Sequence, residues 1–205
     1  SAAVWRSPRF KKLKGIVEQV WFPGAHADIG GGYVSAERRR SDPKLTSLDD
    51  VALDWMLKRL AVHCPDFPVD RTRIKWRDTD TACSLLGHHD ERSLFYKLFP
   101  FAWRALANRP IASPGWRQEA VSYDRRDTTI GEAIHISLLE RLNQEITVNG
   151  RKRFYAPLNL LEIIEIVRHT YASRDPESPI KLVDWNGDIL DPLNPDHAEK
   201  ALAAI

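Results

Sequence analysis

Residues 17–33 read VEQVWFPGAHADIGGGY. The run Val17–Phe22 has the β-branched and aromatic content of a buried strand, and Pro23-Gly24 ends it with turn residues. His26 and Asp28 therefore fall on the loop after a strand, followed by Gly30, Gly31 and Gly32. Loops at the carboxyl ends of strands are where α/β proteins place their working groups. The three glycines allow positive φ angles and let a ligand or another chain approach the backbone closely. The stretch predicts an α/β fold.

Downstream, SLDDVALDWMLKRLAVH predicts a helix that Ser47 caps with Asp50, with acids early and Lys58 and Arg59 late, as the helix dipole favours. Leu48, Val51, Ala52 and Trp55 form one apolar face, and Leu53, Met56, Leu57 and Leu60 form another. Such a helix is expected to pack between layers. CPDFPVD then breaks the chain, and residues 71–130 read as irregular covering structure, with a short helix around Leu94–Phe99 and a strand at Glu119–Tyr123. IHISLLERLNQEI places Ile136, Leu139, Leu142 and Ile146 on one helical stripe. NGRKRF is a turn followed by a short extended piece, and Pro157 opens a second apolar helix, LNLLEIIEIVRHTYA. KLVDWNGDIL consists of two alternating runs around Asn186-Gly187, a strong hairpin signal.

A chain of 205 residues is one domain, or one with an appendage, and is long enough to bury a core without disulfide or metal staples. Cys64 and Cys83 form no disulfide framework or metal pair and are expected to be buried thiols in a reducing compartment. No stretch approaches the ~18 apolar residues of a membrane span, and SAAVWRSPRFKKLKG lacks the apolar core of a signal peptide. The net charge of +2 excludes a globally basic nucleic-acid binder. Local basic clusters lie at residues 6–14, Arg38–Arg40, 71–77 and Arg151–Arg153 and read as solvated surface. The cluster at 6–14 and the Phe95–Trp103 segment are the candidates for contact with a membrane surface.

Three chemistries compete for the 17–33 loop. In the first it is purely structural, with Asp28 capping backbone N–H groups and His26 packed. In the second, Asp28 or His26 belongs to a hydrolytic triad in which an acid orients a histidine that deprotonates a serine. His135, after a loop and at a helix start, is the other candidate base, with a core or capping role as its alternative. The nucleophile elbow of such enzymes, Gly-x-Ser-x-Gly, is absent, because no two glycines in the sequence stand four positions apart. The third chemistry is a metal site drawing on His26, Asp28, His88, His89 and Asp90, although the ligand spacing is not diagnostic. No Walker loop or dinucleotide fingerprint is present, and no cofactor is called for.

VWFPGAHADIGGGY, LDDVALDWML, AIHISLLERL and FYAPLNL occur in an order and spacing similar to those of a bacterial and fungal α/β-hydrolase family that includes the phospholipase effectors of type VI secretion systems. The resemblance spans about residues 17–160; Ala25 and Ala27 beside His26 are minor departures from the family pattern. It implies the C-terminal part of an α/β-hydrolase-type sheet with packed helices over residues 1–172, plus a small accessory hairpin and tail over 173–205. It also implies serine-dependent hydrolysis of carboxylic esters such as phospholipids, with Asp28, His26 and His135 as catalytic residues. Gly30, Gly31 and Gly32 are then the backbone of close approach or oxyanion contact. The serine belongs to an N-terminal half expected from elsewhere, so the chain alone is expected to be a catalytically inactive fragment or split subunit. The implied partners are that half, a lipid or ester substrate, a membrane surface, and an immunity or delivery protein; nucleic acid is not among them. The implied location is the bacterial cytoplasm, followed by secretion that needs no signal peptide. A non-catalytic binding module built on the same fold and a metal-dependent hydrolase are the competing readings.

Overall fold

The computed structural model describes residues 18–31, 47–70, 84–89, 132–178 and 180–205. The expected helix around Leu94–Phe99, the strand Glu119–Tyr123, the basic cluster at 6–14, Cys83, Asp90 and Gly32 lie outside these residues. The described architecture is mixed α/β. Strand β1 (Gln19–Trp21) leads into a one-turn helix α1 (His26–Gly30), followed by α2 (Leu48–His63). After the intervening region come β2 (Glu132–His135), a short α3 (Ser137–Glu140), and the strands β3 (Glu145–Val148) and β4 (Arg151–Phe154). Helix α4 (Leu158–Ala172), strand β5 (Ile180–Val183) and helix α5 (Pro195–Ala203) complete the chain.

Strands β1, β2 and β5 form a parallel sheet in the order β1-β2-β5. Gln19 is in register with Glu132, which in turn is in register with Ile180. Parallel strands need long crossovers, and the residues between the three strands supply them. Ile134, Ile180 and Leu182 are fully buried and pack with Leu160, Ile163 and Val167 of α4. The buried Tyr171 hydroxyl accepts from Leu182 N–H at 2.7 Å and donates to Leu190 C=O at 3.1 Å, and burial pushes its pKa up to about 12.

Four expectations change on the structure. Residues 134–146 are not one helix. His135 ends a strand, α3 lasts four residues, Asn143 takes φ 59°, and Ile146 is buried from β3. The apolar spacing there satisfies either reading, and the tight turn at Asn149 and Gly150, with φ of 48° and 75°, selects the hairpin. The arm KLV before Asn186 does not stand apart as an accessory, because it is β5 of the parallel sheet; its return makes a single antiparallel bridge, Val183 with Ile189. Helix α2 buries Leu48, Val51 and Ala52 toward α1 and leaves Leu53 and Met56 exposed, so it is covered on one face rather than two. Beyond its end, Cys64 is a free, exposed thiol.

Helix α2 is tied to the sheet at two points. The Arg59 guanidinium forks onto the Glu18 carboxylate and holds its pKa below the ordinary value. Lys58 Nζ donates to Asp54 Oδ2 at 2.7 Å and to Trp185 C=O, beyond β5, at 2.6 Å.

Candidate active site

The carboxyl ends of all three parallel strands point the same way. The 24–31 loop leaves β1, His135 ends β2, and Asp184-Trp185 leaves β5. In the first of these loops Gly24 has φ 128°, and a Cβ at that position would lie 2.9 Å from Asp28 Cβ. Only glycine fits, and its absent side chain lets the turn close over Asp28. Gly31 ends α1 at φ 75°, near the Asp49 carboxylate; Gly30 is exposed with open space around its Cα.

Asp28 is buried, and both of its oxygens are engaged. Oδ2 accepts from Ala25 N–H at 2.8 Å and from His89 N–H at 2.9 Å. Oδ1 lies 2.7 Å from His89 Nδ1. A carboxylate can only accept, so Nδ1 carries the proton and the other ring nitrogen, Nε2, is the one with basic character. The Asp28 side chain is 5 % exposed and that of His89 is 43 % exposed, so the pair is anchored below the surface and opens toward solvent at the imidazole. This is how a buried acid fixes the tautomer and orientation of a histidine base.

The segment carrying His89 is held from beneath by Arg141. This residue is fully buried, and its Nη1 donates to Ser84 C=O and Leu86 C=O, both at 2.6 Å. Nη2 lies 2.7 Å from His88 Nδ1, which must accept because guanidinium only donates. The guanidinium also stands 4.9 Å from the centroid of the Tyr155 ring, a cation–π contact. Burial lowers the Arg141 pKa and pushes that of Tyr155 up to about 12. On the other side, His88 N–H donates to Thr147 C=O at 3.0 Å, bridging the segment to β3.

His135 is placed differently. It is 2 % exposed, stacked on Phe22 at 4.9 Å and edge-on to Trp185 at 4.8 Å. Its Nδ1 lies 2.8 Å from Ser137 Oγ, which is itself fully buried. Burial is the main cause that lowers its pKa to about 4, and the charges acting on it are those of Asp184, Lys58 and Asp54. The structure therefore joins Asp28 to His89, keeps His135 in a separate aromatic cage, and leaves His26 exposed in the first turn of α1. Among the described residues no three His, Cys, Asp or Glu side chains could share a metal ion; Asp90 lies outside these residues. His88 instead faces the Arg141 cation.

His89 as partner of Asp28, Arg141 as its support, and Gly24 as the residue that admits the carboxylate were not singled out for these roles by pattern. The HHD run at 88–90 carries the one legible signal, but it suggests ligands rather than an acid–base pair.

Over residues 1–59 the chain is similar to a family described as T6SS, phospholipase effector Tle1-like, catalytic domain. The match includes β1, Asp28 and most of α2, and it supports a lipase- or phospholipase-like function. No curated protein and no solved structure matches the chain. Among the described residues, no helix is long and apolar enough to cross a membrane.

Proposed function

We propose that the chain is the acid–base portion of a serine-dependent carboxylic ester hydrolase of the α/β-hydrolase type, acting on phospholipid acyl esters. The observation that carries this reading is the bond between Asp28 Oδ1 and His89 Nδ1, located in and beside the phospholipase-like segment. In the proposed reaction a serine hydroxyl attacks the acyl carbonyl and passes its proton to a histidine. The resulting imidazolium is stabilised by Asp28, and it returns the proton to the leaving alcohol; water then repeats the cycle on the acyl-enzyme. Backbone N–H groups of the Gly30–Gly32 loop are proposed to meet the oxyanion. The base is drawn from His89, which Asp28 holds, or His26, exposed on the same loop; His135 supports the loop ends as a neutral ring. The serine is supplied from outside these 205 residues, which contain no Gly-x-Ser-x-Gly.

The test is hydrolysis of soluble short-chain acyl esters and of phospholipids, first by this chain alone and then with a polypeptide carrying a serine elbow. Turnover is expected only in the second case, and His26, His89 and His135 are then replaced one at a time. Turnover by the chain alone that survives loss of all three histidines overturns the reading.

A further inference from the structure

We propose that the β3–β4 hairpin is a docking element for an anionic phospholipid surface; this deepens the phospholipase reading above and rests on it. All four β4 residues, Arg151, Lys152, Arg153 and Phe154, are exposed, and Phe154 is 74 % exposed. Among the described residues, strand β4 pairs only with β3, and its other edge has no strand beside it. Lys152 shares its charge with Glu145 across the ribbon at 2.5 Å, whereas Arg151 and Arg153 have no acidic partner among the described residues. Along the ribbon Arg151 and Arg153 project from one face and Phe154 from the other, so a bilayer that meets the β4 edge sets its phosphates against two unneutralised guanidiniums on one side and takes a bare aromatic ring into its apolar boundary on the other.

The position of the hairpin ties it to the candidate site. The far side of β3 bridges to residue 88 through His88 N–H to Thr147 C=O at 3.0 Å and Asn149 N–H to His88 C=O at 3.3 Å. The next residue, His89, holds Asp28. Strand spacing of ~4.8 Å places the outer edge of β4 on the order of 10 Å from this segment. A bilayer gripped at β4 is therefore brought to the Asp28–His89 pair by rigid, hydrogen-bonded backbone.

The experiment is sedimentation of the 205-residue chain with vesicles of non-cleavable diether lipids, comparing phosphatidylglycerol mixtures with pure phosphatidylcholine. Diether lipids keep binding separate from hydrolysis. Partition onto the anionic vesicles is expected to exceed that onto the zwitterionic ones and to fall with salt. The double variant Arg151→Ser/Arg153→Ser should weaken partition about 25-fold, at roughly fivefold per basic side chain. Phe154→Ser should weaken it by an amount that salt does not remove. Glu145→Gln, which frees Lys152, should strengthen it, a gain that misfolding does not produce. Equal partition onto both lipids, indifference to these substitutions, or binding to polyglutamate or RNA without binding to vesicles overturns the proposal. Hairpin-dependent partition without ester turnover in the assembled enzyme sustains the docking element and removes the hydrolase reading alone.

Discussion

Asp28 and His89 stand 61 positions apart in the chain and meet at 2.7 Å, with a second bond from the His89 backbone to the same carboxylate. The acid thus fixes both the ring and the main chain that carries it. In the assembled enzyme, Asp28→Asn keeps the shape but removes the charge that stabilises an imidazolium. We expect kcat on a soluble ester to fall by about 10⁴-fold, as for the analogous change in serine triads, with KM little altered. His89→Gln should match it if His89 is the base. A larger loss from His26→Gln than from His89→Gln would transfer the role to His26.

Gly24→Ala tests whether the loop geometry is obligatory. The substituted residue would be held at φ 128° with its Cβ 2.9 Å from Asp28 Cβ and 3.3 Å from Leu48 Cδ1. A destabilisation of about 1–3 kcal/mol is expected, read as a lower urea midpoint. Gly30→Ala, with nothing within 4 Å of its Cβ, should leave the midpoint nearly unchanged.

His135 predicts a pH dependence of stability. Its folded pKa of about 4 lies below the 6.5 of an unperturbed imidazole. The unfolded chain therefore binds this proton first. The contribution is fully present above about pH 6.5 and is lost progressively as pH falls toward 4, a span worth roughly 3 kcal/mol. Urea unfolding across this window should show a slope that His135→Gln reduces.

Arg141 is the third stability element. Arg141→Met removes the donors to Ser84 C=O, Leu86 C=O and His88 Nδ1 together. Each is a hydrogen bond from a charged donor, worth about 1.5–3 kcal/mol, so a loss of several kcal/mol is expected in thermal unfolding. Arg141→Lys should rescue only part of it, since an ammonium lacks the planar fork. In the assembled enzyme, Arg141→Lys should also shift the pH–rate profile through the displaced His89, which a purely structural defect would not do.

Sequence patterns reveal the long elements because each carries its own periodicity and caps. LDDVALDWMLKRLAVH and LNLLEIIEIVRHTYA are helices over the residues that their spacing marks, and the strand before Pro23 lies where its aromatic and β-branched run ends. Residues 134–146 misled because Ile136, Leu139, Leu142 and Ile146 suit a helix as well as a strand–turn–strand path. There a left-handed Asn143 and the Asn149-Gly150 turn decide the outcome, and apolar spacing does not register them. At the candidate site, Asp28 is conspicuous in sequence through its glycine-rich loop. Its partner is not, because contact between positions so distant is set by the fold and leaves no local pattern. His135 is a candidate base by position, and its burial in an aromatic cage, a property of its neighbours Phe22 and Trp185, leaves no mark in the local sequence.

The parallel register also has a temporal consequence. Among the described residues, strand β1 pairs with β2 alone, beginning with Gln19 opposite Glu132. At translation rates of about 5–20 residues per second, the partner emerges from the ribosome roughly 6 to 23 seconds after β1 does. During that interval Val20 and Trp21 await the pairing that β2 provides, so the phospholipase-like segment completes its described sheet contacts only once β2 has been made. The nascent chain is most exposed to chaperones and proteases while its most recognisable portion waits.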